Sequence, residues 1–284
     1  MLVDTHTHFY DEWLLPDAEA AIQRAVDAGV GKMIQADVDS HEREAMWEIG
    51  LRHPGVLFQM AGVYPGSITA DNWQYELDQV HSLFCTTSDN QTWSEATQGV
   101  WGIRPPVSET FLKPMAIVAI GEIGLDYHEG RVFEKEQKEA LRVQLELAAA
   151  RDLPVNIHLR DAWEDLLAIF KDCKHLNLRG NLHCFSGSYE VYQEANRYGN
   201  WAVGIGGVIT FKNSKLAQTV AKIPMEHILL ETDAPYLAPG KHRGERNESA
   251  YLPIIAEKVA EVKGITTEEC ARITTENAER LFNI

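Results

Sequence analysis

Residues 116–160 read AIVAIGEIGLDYHEGRVFEKEQKEALRVQLELAAARDLPVNIHLR, and the rhythm inside them decides the fold. A short β-branched run, Ile117–Ile120, gives way to a segment, 132–151, in which Leu141, Leu145 and Ala148 recur at helical spacing. A second short run, Pro154–Ile157, follows. Strand, helix and strand in this order make a βαβ unit, whose two strands lie parallel in one sheet.

The alternation continues in both directions. Strand candidates are Leu2–Thr5, Lys32–Ala36, Val56–Val63, Gly180–Leu182, Trp201–Gly204 and His227–Leu230. Helical segments are 17–28, 40–52, 71–84, 161–173, 188–198, 213–222 and 248–263, with a further helix, 267–281, at the C-terminal end. Asp161-Ala-Trp-Glu164 and Thr266-Thr-Glu-Glu269 read as capping boxes. Eight strands alternating with eight helices predict an α/β fold, a (β/α)8 TIM-like barrel with an extra C-terminal helix. No glycine-rich phosphate fingerprint follows the first strand, so an open doubly wound sheet fits less well. Residues 1–284 read as one barrel domain. A long polar insertion at about 85–114 (CTTSDNQTWSEATQGVWGIRPPVSETFLKP) separates the third helix from the fourth strand. That connection emerges on the N-terminal face of a barrel, so the insertion is expected to pack there or to serve an oligomer contact.

Composition narrows the functional classes. The formal charge of −16 argues against a broad basic surface that coats nucleic acid or anionic membrane. It leaves open a nucleic-acid substrate held by a small cationic pocket or a metal. Cys85, Cys173, Cys184 and Cys270 are scattered with no CxxC pair, which predicts reduced thiols in a cytoplasmic protein. The N-terminus shows no basic stretch followed by an apolar one, and no run reaches the roughly 18–20 apolar residues that cross a bilayer. A soluble protein with no membrane association is the expectation.

The chemistry gathers where strands end. Side chains alternate along a strand, so Asp4, His6 and His8 of DTHTH point the same way. The fourth strand delivers Glu122, the fifth His158, the sixth His183 and the eighth Asp233. An ionisable group just past an apolar run is costly unless paired or metal-bound. One such group is ordinarily a hydrogen-bonded core residue. Four histidines and two carboxylates on the face where barrels do chemistry point instead to a metal site. Six N and O donors suit Zn, Mn, Mg or Fe, and exceed what one zinc needs, so two divalent metal ions are expected. Lys212 follows the seventh strand, and Lys241, His242, Arg243 and Arg246 follow the eighth. With Arg160, they reverse the acidic balance locally and favour an anionic substrate.

Taken together, these residues closely resemble the TatD family of metal-dependent hydrolases, within the amidohydrolase superfamily. The motifs are DTHTH (4–8), GEIGLDY (121–127), IHLRDA (157–162), HCFSG (183–187), ITFKN (209–213), ETDAPYLAP (231–239), RNES (246–249) and TENAERLF (275–282), in order from end to end. The resemblance implies a TIM-like barrel with two divalent ions and deoxyribonuclease or phosphodiesterase activity, typically 3′→5′ removal of nucleotides. By the same resemblance His6, His8 and Asp233 hold one metal, His158 and His183 the other, and Glu122 bridges them. Asp233 then accepts the proton of the attacking water, Arg160, Lys212 and Arg246 lie near the substrate phosphate or around the site, and Glu231 and Asp4 orient ligands. Two features depart from the family pattern: the 85–114 insertion, which leaves the motifs intact, and one position after the third strand. Where many members have Gly-x-His-Pro, this chain has Gly62-Val-Tyr64-Pro65, which puts a phenol near the substrate in place of an imidazole. Tyr64 keeps open a second reading, a lactone, ester or amide hydrolase built on the same metals. A third is a metal-binding interaction protein whose catalysis has lapsed.

Overall fold

The computed structural model describes residues 1–84 and 117–284; the 85–114 insertion, with Cys85, lies outside them. Strands β1 (Leu2–Thr7), β2 (Val30–Gln35), β3 (Leu57–Ala61), β4 (Ile117–Asp126), β5 (Val155–Arg160), β6 (Arg179–Leu182), β7 (Asn200–Ile205) and β8 (Ile228–Leu230) follow one another in a single sheet in chain order. Every neighbouring pair is parallel. The sheet curls until its ends meet. Beyond β8, the Asp233 N–H donates to the His6 carbonyl (3.0 Å) and the His8 N–H to the Ala234 carbonyl (2.8 Å). The seam thus joins two segments that carry predicted ligands.

Between the strands run α1 (Ala18–Asp27), α2 (Arg43–Arg52), α3 (Trp73–Phe84), α4 (Glu134–Ala150), α5 (Trp163–Asp172), α6 (Tyr189–Ala195), α7 (Leu216–Val220) and α8 (Leu252–Lys263). Helix α4 shows why the pattern folds so. Glu134 and Glu136 meet the positive end of its dipole, and Leu141, Leu145 and Ala148 are buried on one face. The extra helix, α9 (Thr267–Phe282), begins where the Thr266 hydroxyl accepts the Glu269 N–H (3.1 Å), the N-cap half of the expected capping box. Its Ala278 and Phe282 pack with Val3, Val118 and Leu229, each second in its strand, and so plug the end of the barrel where strands begin. The opposite end is left for chemistry.

Two local expectations are corrected. Strand β4 does not stop at Ile120 but runs to Asp126, so Glu122 lies within it. Gly121 and Gly124 look like breakers in the sequence but serve close approach. Gly124, at φ 154°, pairs with His158, and a Cβ there would sit 1.8 Å from the His158 carbonyl oxygen. Asp161 does not cap α5. It takes a left-handed conformation (φ 56°), Ala162 stands at the cap position, and no side chain caps the helix.

Candidate metal centre

Strand β1 and its continuation carry His6 and His8 on one side, as alternation requires. Their Nε2 atoms lie 3.0 Å apart. What surrounds the two rings decides what that contact is. Tyr10 donates its hydroxyl hydrogen to the Ala36 carbonyl (2.6 Å), which can only accept. The phenol oxygen, 2.8 Å from His8 Nδ1, must therefore accept from it, so His8 carries its proton on Nδ1. Asn156 turns its amide oxygen to His6 Nδ1 at 2.9 Å and fixes His6 in the same tautomer. Two bare Nε2 lone pairs thus face each other in a buried site. Nothing in that pair can donate; a cation belongs between them.

Carboxylates complete the ring. Glu122 Oε2 is 3.4 Å from His6 Nε2 and 3.9 Å from His8 Nε2; Asp233 Oδ1 is 3.8 Å and 3.5 Å from the same atoms. His183 Nε2 lies 3.9 Å from Glu122 Oε1 and 3.8 Å from Asp233 Oδ1, while its Nδ1 contacts Glu231 Oε1 at 2.9 Å. His158 places Nε2 against Asp126 Oδ2 (2.9 Å), which leaves Nδ1 toward Glu122 Oε1 at 2.8 Å. All six predicted ligands therefore converge around Glu122. Their donor atoms form metal-sized groups: His6, His8 and Asp233 in one, His6, Glu122 and His183 in another, each within 4.8 Å. His158 joins through Glu122 alone.

Protonation follows from this crowding. Burial lowers His6, and the neighbouring His183 charge lowers it further. Burial also opposes charge on His158 and His183, yet Asp126 and Glu122 push His158 up to about 9, and Glu231 and Asp233 push His183 up to about 10. The same pairing holds Glu122 well below the usual carboxylate range against its burial, with His6 and His158 responsible. Asp233 is lowered likewise by His183 and His8. Ionised carboxylates and facing imidazole lone pairs favour positive charge at their centre, which divalent cations would supply. The residues present fit the metal that the motifs imply.

The remaining predicted residues fall in several places. Asp4 is buried away from the cluster, where Thr232 Oγ1 (2.6 Å) and the Thr232 N–H (2.9 Å) donate to it. Burial pushes its carboxyl up to about 6, with Thr232 opposing. Glu231 accepts from Asn181 Nδ2 (3.1 Å) and from the Cys184 N–H as well as contacting His183. Tyr64 packs its ring edge on His158 at 4.9 Å and donates toward Asp126 Oδ2 (3.4 Å); burial raises its phenol far above the ordinary value. Arg160 and Lys212 are exposed. Arg246 is not brought to the cluster: its guanidinium donates to Asp17, to Glu248 (2.6 Å) and to the Trp13 carbonyl (2.8 Å).

Three partners of the ligands were missed in the sequence reading: Tyr10, Asn156 and Asp126. Alternation puts Asn156 on the His158 face of β5, and Asp126 follows Glu122 by four on a strand that runs longer than its glycines suggest, but neither spacing names the ligand it meets; Tyr10 stands in the turn beyond β1. Cys184 also stands beside His183 and Asp233. Burial, reinforced by the nearby carboxylates, raises its thiol well above the usual range.

The family model described as TatD related DNase matches residues 3–283. The chain belongs to the TatD family. It is a metal-dependent hydrolase of that family, and its relatives extend over its whole length. YabD of Bacillus subtilis (strain 168), an uncharacterised metal-dependent hydrolase, is 36% identical over 287 residues and covers 100% of both chains. A protein of Erwinia tasmaniensis named 3′-5′ ssDNA/RNA exonuclease TatD is 31% identical over 274 residues, 94% of each chain. Among solved structures, YjjV, a TatD homologue from Escherichia coli K12, superposes with a TM-score of 0.81 at 28% identity, covering 100% of this chain and 98% of the other. TatD relatives thus share both the barrel and the dependence on metal read from these side chains. Among the described residues no helix is long and apolar enough to cross a membrane, and the three described cysteines are free.

Proposed function

We propose that this TatD-family hydrolase cleaves phosphodiester bonds, in single-stranded DNA or a smaller phosphodiester, at a centre of two divalent ions. The observation that carries the reading is the pair of facing Nε2 lone pairs of His6 and His8, 3.0 Å apart and flanked by Glu122 and Asp233. In this reading His6, His8 and Asp233 would hold one ion and His158 and His183 the other, with Glu122 shared between them. Such ions would supply a lowered pKa for bound water and positive charge against an attacked phosphoryl group. Asp233, ionised and partly open to solvent, accepts the proton of the attacking water.

Arg160 and Lys212 supply exposed positive charge for the substrate phosphate, while Arg246 braces the rim from its place between Asp17 and Glu248. The names of exonuclease relatives support a nucleic-acid substrate and 3′→5′ polarity. Free thiols support a cytoplasmic setting. Tyr64 gives the ester reading its one specific support. Its raised phenol is a poor proton donor to a leaving group, so esters with good leaving groups are favoured over amides, whose amine must be protonated to depart.

The test is a substrate panel run on protein stripped with EDTA and reloaded with Zn, Mn, Mg or Fe. Reloaded protein is expected to cleave single-stranded oligodeoxynucleotide and bis-p-nitrophenyl phosphate, and stripped protein neither. Turnover of lactones or amides with no phosphodiester cleavage would transfer the reading to the ester and amide class. No bound metal and no turnover would leave a lapsed binding protein.

A further inference from the structure

Nine large hydrophobic side chains are exposed among the described residues, and four of them, Trp13, Leu15, Tyr236 and Leu237, belong to the segments that follow β1 and β8. Those two segments carry His8 and Asp233. Single exposed apolar residues are ordinary, but a cluster beside a reactive centre marks a binding surface. Tyr236 sits with its ring centroid 6.3 Å from that of His8, and Trp13 sits 5.9 Å from Tyr236. The two rings remain 56% and 44% exposed, Trp13 the more so, and their 49° tilt keeps either from covering the other's face.

The pair is held in place from beneath. One carboxylate clasps both loops: Asp11 accepts the Trp13 N–H (2.9 Å) and the Tyr236 hydroxyl (2.5 Å). Arg246 grips the Trp13 carbonyl from the other side while bonded to Asp17 and Glu248. Two large aromatic faces kept open at the edge of an acidic protein's one predicted reactive centre are suited to a flat aromatic ring carried, through a sugar, beside the reacting phosphate. A nucleobase has that chemistry, and aromatic stacking is how single strands are held without sequence reading.

We propose that Trp13 and Tyr236 form a stacking platform for the nucleobase beside the cleaved phosphodiester, so that the enzyme prefers base-bearing strands to bare phosphodiesters. This rests on the phosphodiesterase reading above, and deepens it by assigning what holds the substrate's base. The platform tolerates any base, since each has a π face, and disfavours paired strands, whose bases are already stacked.

The experiment compares metal-loaded wild type, Trp13→Ala and Trp13→Phe on two oligomers of equal length, an oligothymidylate and a chain made wholly of abasic tetrahydrofuran nucleotides. The readout is the ratio of kcat/KM for the two. Loss of a base–aromatic stack corresponds to about a 5- to 150-fold change. The ratio is expected to favour oligothymidylate in wild type, to fall by that factor in Trp13→Ala and to be largely kept in Trp13→Phe. An equal effect on both oligomers, or none on either, overturns the platform while leaving phosphodiesterase activity standing. If wild type cleaves neither oligomer, the phosphodiesterase reading fails, and tryptophan fluorescence judges the platform separately. Quenching by oligothymidylate that is absent with the abasic chain and lost in Trp13→Phe supports it; identical quenching in wild type and Trp13→Phe overturns it.

Discussion

Tyr10→Phe isolates the argument from tautomers, because it removes one oxygen and leaves the ring that packs in the core. Tyr10 is 3% exposed, and its hydroxyl both donates to Ala36 and accepts from His8 Nδ1. Without it, His8 loses the group that fixes Nδ1–H and aims Nε2 at the centre. Removing such a support from a metal-ligating histidine costs about 10- to 100-fold in metal affinity, or about 1.4–2.7 kcal/mol. Apart from metal, leaving the buried Ala36 carbonyl and His8 N–H unpaired costs about 1–3 kcal/mol of folding stability, with no cavity to add to it. The two effects separate in two assays. Urea unfolding of EDTA-treated protein reads the second, and competition with a chromophoric chelator reads the first. The expected result is a loss in both, with weakened metal binding persisting under conditions where both proteins are fully folded. A variant less stable but unchanged in metal affinity would refute the claim that Tyr10 sets the His8 tautomer.

Other outcomes follow from the same contacts. Asp233→Asn, which keeps shape but not basicity, is expected to lower kcat on bis-p-nitrophenyl phosphate by about 10²- to 10⁴-fold, measured at saturating metal. Phe282→Ala, which unplugs the closed end of the barrel, should cost about 3–5 kcal/mol in urea unfolding and leave metal affinity in folded protein unchanged. Arg246 and Arg24 hold Asp17 down to about 2. A depressed carboxyl contributes stability above its unfolded value of about 3.9 and loses it as pH falls toward the folded one. Because these side chains are partly exposed, the contribution is within about 1 kcal/mol. The difference in urea midpoint between wild type and Asp17→Asn should therefore shrink as pH falls from 5 toward 2.

The fold was legible because its signal is periodic and local: short β-branched runs and helical stripes repeat along the chain, and the structure sets each run in the sheet in its turn. The six candidate ligands stand out for a related reason, since costly groups past apolar runs are visible one strand at a time, and the structure brings their side chains together. Their partners were not. Asn156 meets His6 across 150 residues of sequence, and no pattern in either neighbourhood announces the other. Asp126 was hidden by two glycines that read as the end of β4, where their real role is to let β4 and β5 approach. The motif around Arg246 points to the substrate phosphate or its surroundings. The actual bonds of Arg246, to Asp17 and Glu248, depend on how the loop after β8 folds back over the loop after β1. Sequence shows which residues a strand delivers, and barrel closure decides what they touch.

The most direct test of the account is the manganese content of protein reloaded after EDTA and freed of excess metal by gel filtration. About two ions per chain are predicted for wild type, with the count falling in a variant that replaces both His6 and His183 with alanine while circular dichroism still reports the barrel. A wild type that binds no manganese, zinc or iron, or a double variant that binds as much as wild type, would contradict it.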